Sequence, residues 1–370
     1  MLLRGHMKRA AISSALLCLF LLIPLLCSGQ ESSEPSEPSE SSPDAQPSVQ
    51  EPRVLDPRWP PLIGRLAEDG LDQKRLEQLF SDMALPWSPV FMAAKMHELY
   101  GSRLGAGAKV KSLPDRERPL PLDYMPPAAS GLEGAKALLK DHAPLLTEVH
   151  KRYGVPPSLI AAILLLESNM GHVLGESLAL HALASMAAAS TPEHVLQGIA
   201  GYAKPQPQLN QDIAKSIRKY SARAYKELSA LIHYYETNGI DILRVPGSVY
   251  GAIGLCQFMP VNIRAYGVDS NEKGVIDLFS LPDAAHSIGN YLKEHGFSEK
   301  HPINKQLAVL LRYNHSSSYA ALALGTSYQL DGKRVPAELR MFSVRGPRKP
   351  WWPKTPPAYR LPPLGNYTIK

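Results

Sequence analysis

Glu167 is the first residue whose type and setting suggest chemistry. It follows Ser158 and the uncharged, mainly apolar run Leu159 to Leu166, and a helix that is apolar all round is buried on most sides. Burying a carboxylate there favours its neutral form. A carboxyl group that keeps its proton near neutral pH can act as a general acid. The plainer alternative is a Glu at a helix end paired with Lys or Arg, and this segment alone leaves the two open. A second constellation is GSVYGAIGLCQFMP at 247–260, where Ser248 and Gln257 stand among small and apolar residues. Gly251 and Gly254 carry no side chain to clash with an approaching ligand. Read plainly, the same stretch is a glycine-rich turn leading into a helix from Phe258 to Tyr266. Tyr313-Asn314 in RYNHSSSY is a third candidate, although a helical tyrosine is more often core.

These residues need helices to hold them. From Trp59 to Gly101 apolar residues recur at spacings of three and four (Leu62, Ile63, Leu66; Leu76, Leu79, Phe80, Met83), the pattern of short amphipathic helices. Residues 104–130, rich in Pro, Gly and charge, read as a connecting arm. Gly131 to Arg152 reads as one helix. Val155-Pro156-Pro157-Ser158 then supplies a helix start, with proline tolerated in the first turn. Helical patterns return at 176–189, 208–237, 281–295 and 304–324, and no run shows sustained alternation of period two. The fold class expected is mainly α with little or no sheet. From Asp331 the chain turns basic and proline-rich and reads as extended.

The 370 residues are 44% hydrophobic and 20% charged, which describes a globular protein and excludes a disordered or fibrous one. A net charge of +6 would ordinarily suggest a polyanionic partner, but the charge sits at the ends. Residues 1–29 are basic, 30–53 acidic and 331–370 strongly basic, which leaves the stretch between nearly neutral. Nucleic acid is therefore not an expected partner. Basic residues through Arg9, an apolar stretch from Ala10 to Leu26 and then Cys27-Ser28-Gly29 have the layout of a secretory signal. Its apolar run falls just short of the roughly 20 residues that span a bilayer. Export is expected, and a membrane tether through this segment stays open. Cys27 as a lipid attachment site is disfavoured by the bulky Leu26 before it. The expected organisation is a signal at 1–29, a disordered Ser/Glu/Pro linker at 30–56, a catalytic domain at 57–330 and a basic tail at 331–370. With Cys18 and Cys27 in the signal, Cys256 has no partner for an internal disulfide. The tail, with Trp351-Trp352, either contacts an anionic wall or membrane surface or lies as a strap over the domain.

Taken together, YGVPPSLIAAILLLESNMG at 153–171, the 247–260 motif, YGVDSNEKGVIDLFSLPDA at 266–284 and RYNHSSSY at 312–319 resemble the lytic murein transglycosylase B family. This is glycoside hydrolase family 103, whose domain is related to the goose-type lysozyme fold. With the weaker LIGRLAEDG at 62–70, the likeness covers about residues 57–325. It implies a lysozyme-like helical domain acting on peptidoglycan glycan strands as a monomer, with Glu167 as the single acid and then base. The bond cut would be the β-1,4 link from N-acetylmuramic acid to N-acetylglucosamine. Ordinary glycosidases need two carboxylates. Here the sugar's own C6 hydroxyl would close a 1,6-anhydro ring, an internal nucleophile with a large effective molarity. By the same resemblance Ser248 would hold the acetamido group or the cation-side oxygen, Gln257 would face the substrate, the Tyr313 phenol would hydrogen bond Glu167, and Asn314 would fix the sugar. Phe258 is either a sugar-stacking face or simple packing. Tyr220 and Tyr225 are further candidates in a stretch that aligns poorly.

Residues 269–280 align with a calcium loop that some members of that family carry. Asp269, Asn271, Gly274, Ile276 and Asp277 fit its spacing, but position five is Lys273 and position twelve Ser280 instead of an acidic ligand. No metal or other cofactor is expected, and the Lys273 ammonium would take the cation's place between Asp269 and Asp277. Met170 stands where the family usually has an aromatic residue, so a sugar-stacking surface would be softer. The rival readings are a lysozyme-type hydrolase, with water replacing the C6 hydroxyl, and a non-catalytic wall-binding scaffold; intact Glu167, Ser248, Gln257 and Tyr313-Asn314 speak against the scaffold.

Overall fold

The structure is a computed structural model and describes residues 55–105, 107–112, 131–202 and 207–340. The signal, nearly all of the linker, most of the arm and Trp351-Trp352 lie outside the described residues. Helices α1 (Trp59–Glu68) and α2 (Gln73–Met83) bury the apolar stripes read from the sequence. The side chain of Asp72 starts α2 by accepting the Arg75 N–H at 2.7 Å. After α3 (Val90–Leu104), the stretch expected as one helix from Gly131 is two, α4 (Gly131–Asp141) and α5 (Ala143–Tyr153), which meet at His142. Pro144 explains the break, because its ring cannot continue a helix but suits a first turn.

Helix α6 (Pro157–Ser168) lies in the middle of the core, packed against α4, α5, α11 and α13. Leu159, Ile160, Ile163 and Leu164 are fully buried, each worth about 2 kcal/mol of apolar burial. That anchoring fixes where the last turn, and with it Glu167, comes to rest. The remaining helices are α7 (Ala179–Ala187), α8 (Pro192–Leu196), the long α9 (Pro207–Thr237), α10 (Pro260–Tyr266), α11 (Leu281–Glu294), α12 (Ile303–Tyr313), α13 (Ser317–Leu330) and α14 (Ala337–Arg340). The pattern at 304–324 thus contains a break. Asn314 adopts an extended backbone, and the Ser316 hydroxyl accepts the Tyr319 N–H to start α13. The helical body also runs past 330, since Leu339 on α14 is fully buried where an extended tail was expected.

Among the described residues sheet is confined to two antiparallel ladders of two residues per strand. β1 (Lys109–Val110) pairs with β3 (Ile199–Ala200), and β2 (Ser177–Leu178) with β4 (Pro246–Gly247). The mainly α class is what the absence of period-two alternation implied. The β2–β4 ladder leads directly into the turn that carries Ser248.

Candidate active site

Three consecutive residues in the left-handed region, Asn169, Met170 and Gly171, end α6 just after Glu167. The Met170 N–H reaches back to the Leu164 carbonyl at 2.9 Å, closing the helix end. The buried Ser168 hydroxyl accepts the Gly171 N–H at 3.0 Å and donates to the Leu255 carbonyl at 2.8 Å. The end of the Glu167 helix is therefore tied to the middle of the 247–260 motif. That motif folds back on itself, with Ile253 and Phe258 exchanging backbone hydrogen bonds and the Leu255 N–H bonded to the Leu278 carbonyl. Gly254 needs its glycine, because its φ is +76° and a Cβ there would stand 2.5 Å from the Leu278 Cβ.

Glu167 is half-buried, and burial raises its pKa from 4.5 to about 7. Only one group acts against burial, the Tyr319 hydroxyl, which lowers the Glu167 pKa. This hydroxyl is buried, yet it closes no hydrogen bond of ordinary geometry with any described group. It is an O–H poised beside the carboxyl and free to donate when charge develops. No second carboxylate among the described residues perturbs Glu167, as a nucleophile at about 5 Å would. Substituting Tyr319 with Phe is expected to push the Glu167 pKa higher still, read as an upward shift of its carboxyl titration by NMR.

Tyr313 does not do what the resemblance implied. Its hydroxyl donates to the Cys256 carbonyl at 2.7 Å, bracing the motif, while its ring lies nearly parallel to Tyr319. Tyr319, six residues on in the same motif, holds the place expected of Tyr313, and sequence reasoning passed over it. Phe258 also needs correction. It is 2% exposed, packed against Tyr291 and Tyr313 with ring centroids 5.6 and 5.8 Å apart, and offers no face to a sugar. Met170 is fully buried and supplies no stacking surface of any kind. Cys256 is fully buried, and burial pushes its thiol pKa far up, so it behaves as packing.

Ser248 and Gln257 are held by their own local bonds. The Ser248 Oγ accepts the Tyr250 and Ala252 N–H groups at 3.3 and 3.1 Å. Its proton thus stays available, with no acceptor among the described residues. Gln257 adopts φ 48°, a strained conformation for a residue with a side chain, and its amide donates to the Gly254 carbonyl at 2.9 Å. Gln257, Tyr313 and the exposed Asn314 line one open depression. Of the two further tyrosines, Tyr225 is pinned to Asp69 at 2.6 Å and serves the packing of α1 on α9. Tyr220 lies half-buried by Lys95, whose ammonium also sits 4.1 Å above the Tyr250 ring.

The 269–280 loop is organised around backbone donors. Asp269 accepts the Lys273 and Gly274 N–H groups. The fully buried Asp283 carboxylate accepts from Ser270, through both its N–H and its hydroxyl, and from the Asp277 N–H. Ser280, at the position of the missing acidic ligand, starts α11 instead. These residues do not fit a calcium cage. Nor does the Lys273 ammonium fill one, because the residue is exposed and enters no ion pair among the described residues; its backbone amide, not its charge, meets Asp269.

Comparison with known proteins bears on the fold and the family. The structure of the lytic transglycosylase SLT35 of Escherichia coli, determined in complex with calcium, superposes with a TM-score of 0.52 at 17% identity, covering 76% of this chain and 95% of that one. The soluble lytic transglycosylase SltB1 of Pseudomonas aeruginosa gives 0.53 at 20% identity, over 75% and 99% of the two chains. SltB3 of Pseudomonas aeruginosa, in complex with NAG-anhNAM-pentapeptide, gives 0.54 at 18% identity, over 75% and 80%. The fold is thus the lysozyme-like helical fold of lytic transglycosylases. In sequence, the membrane-bound lytic murein transglycosylase B of Escherichia coli (strain K12) is 28% identical over 220 residues, 56% of this chain and 52% of that protein. The chain therefore spans about half the length of that relative. A family model described as the transglycosylase SLT domain matches residues 59–309, a span that holds Glu167, the Ser248–Gln257 turn and the 269–280 loop, and on that match the chain belongs to the transglycosylase SLT domain family.

Proposed function

We propose that this chain is an exported, periplasmic lytic transglycosylase that cuts peptidoglycan glycan strands between N-acetylmuramic acid and N-acetylglucosamine. The observation that carries the reading is Glu167, a lone carboxyl raised to about pH 7 by burial, with no second carboxylate among the described residues to perturb it. In the first step its proton passes to the glycosidic oxygen as the bond to C1 breaks. The carboxylate left behind gains the Tyr319 hydroxyl as a donor. In the second step the C6 hydroxyl attacks C1 and gives its proton to Glu167, which returns to its starting state with no water consumed. Ser248, with its proton free, is suited to donate to the acetamido oxygen, and Gln257 and Asn314 to hold the sugar. The pentapeptide-bearing ligand of SltB3 supports a glycan of this class. Mass spectrometry of digested sacculi tests the reading: anhydro-muropeptides are expected, whereas reducing ends would make the chain a hydrolase.

The chain acts as a monomer on its glycan, and nucleic acid is no partner. The loop at 269–280 works without metal, because Lys273 and Ser280 stand where a calcium loop needs oxygen ligands and the Asp269 carboxylate accepts two backbone amides. Calorimetric titration with calcium is expected to give no heat of specific binding, and chelator is expected to leave the thermal midpoint unchanged. Micromolar calcium binding would overturn this.

A further inference from the structure

We infer that Tyr250, braced against Glu98 on α3, is a positioning residue that sets where the Ser248 hydroxyl stands. The inference goes beyond the transglycosylase reading but rests on its assignment of Ser248 as the donor to the acetamido oxygen.

Residues Ser248 to Ala252 form a closed turn. The Ser248 N–H donates to the Ala252 carbonyl at 2.9 Å and the Gly251 N–H to the Ser248 carbonyl at 2.8 Å, while the Ser248 Oγ accepts the Tyr250 and Ala252 amides. A hydroxyl oxygen that takes two amides of its own turn follows that turn wherever it moves. The turn is gripped at two points. At the first, Gly251 has φ +82° and lies so close to α7 that a Cβ would stand 2.3 Å from the Leu183 Cγ. What approaches this glycine is therefore a core side chain. At the second, the Tyr250 hydroxyl donates to the Glu98 carboxylate at 2.7 Å, across 152 positions of sequence.

Glu98 is itself held. The Lys95 ammonium, one turn back on α3, meets the same carboxylate oxygen at 2.6 Å and lies 4.1 Å from the centre of the Tyr250 ring. Hydroxyl, carboxylate, ammonium and ring thus close on one another through contacts that each involve a charge. Burial alone would raise the Glu98 pKa, but the bonds from Lys95 and Tyr250 outweigh it and keep the carboxyl below its ordinary 4.5. The acceptor is therefore charged throughout the range in which Glu167, at about 7, exchanges its proton. The base of the brace is fixed, because Phe91, Met92, Ala93 and Met96 anchor α3 in the core.

Such a brace does little for stability. The Glu98 side chain is 53% exposed, and water competes for both charges of a half-exposed ion pair. Direction is what it supplies. The amide of Tyr250 is bonded to the Ser248 Oγ and its hydroxyl to α3, so fixing the ring fixes the amide and with it the aim of the free Ser248 proton. The proton transfers themselves need neither Tyr250 nor Glu98.

A double-mutant cycle tests this, with total glycan cleavage measured for the wild-type chain, Tyr250→Phe, Ser248→Ala and the two combined. Tyr250→Phe is expected to lower kcat/KM about tenfold with its thermal midpoint nearly unchanged. On the Ser248→Ala background the same change should cost no more than about twofold, because the group it positions is gone. A side chain that only supports the fold, or that touches the sugar itself, would cost the same on both backgrounds, and that result overturns the inference. So does wild-type cleavage by Tyr250→Phe. Glu98→Gln, which keeps an acceptor oxygen but gives up the charge, should lose less than Glu98→Ala, and both losses should shrink when Ser248 is absent. The underlying reading fails in different places. Ser248→Ala with wild-type cleavage would remove the role of Ser248, and the inference with it. Reducing ends from sacculi would remove the transglycosylase assignment, while the cycle, which counts bonds cut by either route, still decides the role of Tyr250.

Discussion

Glu167→Gln is expected to lower glycan cleavage by about a thousandfold or more, since it removes both proton transfers from the reaction. Binding of glycan should change little, because Gln keeps the shape of the side chain. Full activity in this variant would overturn the assignment. The same substitution carries a stability signature. A carboxyl whose folded pKa, about 7, lies above its ordinary 4.5 binds its proton more tightly in the folded chain. Its contribution is therefore fully present below about pH 4.5 and is lost as pH rises through 7. A shift of this size amounts to about 3 kcal/mol between the two limits. Chemical denaturation at pH 5 and pH 8 should show the wild-type chain losing stability relative to Glu167→Gln across that interval. Parallel curves would mean that the carboxyl is not raised at all. Cleavage should follow the same titration, falling above about pH 7 as the acid form disappears.

Glu167 was legible only in part: an uncharged, apolar helix belongs in the core, but the segment alone left open a carboxyl paired with Lys or Arg at the helix end, and the structure shows no ion pair at Glu167 among the described residues. The helical class followed from spacing. What stayed hidden depends on where side chains point. Tyr313 and Tyr319 lie six residues apart in one motif, and no rule of spacing says which hydroxyl meets Glu167. The break at Asn314, which starts a new helix, decides it. Phe258 was ambiguous because one ring suits sugar stacking and core packing equally; the neighbouring Tyr291 and Tyr313 rings settle it as core. Lys273 was placed by charge, but a backbone N–H satisfies a carboxylate as well as an ammonium does and loses no side-chain entropy. The brace of Tyr250 on Glu98 joins residues 152 apart in sequence, which no local pattern connects.

The second large effect is expected at Gly175, a residue without chemistry of its own. Its φ is +110°, and a Cβ there would stand 2.0 Å from the Gly247 oxygen and 2.6 Å from the Ser248 nitrogen. The obstructing atoms are backbone, anchored on one side by the β2–β4 ladder and on the other by the Ser248–Ala252 turn. Gly175→Ala must therefore displace the strand end that positions Ser248 by roughly 1 Å or more, because packed interiors leave no void to absorb it. A shift of that size is expected to cost about a hundredfold in cleavage. Strain and overpacking together should cost about 3 kcal/mol of stability. Gly274→Ala is the control. Its φ of +87° is equally foreign to a side chain, but nothing lies within 4 Å of its Cβ. Backbone strain alone should then cost about 1 kcal/mol, with cleavage unchanged. Denaturant melts and product yields for the two variants separate the causes. If Gly175→Ala were no worse than Gly274→Ala, the close approach of Gly175 to Gly247 would not be what holds Ser248 in place.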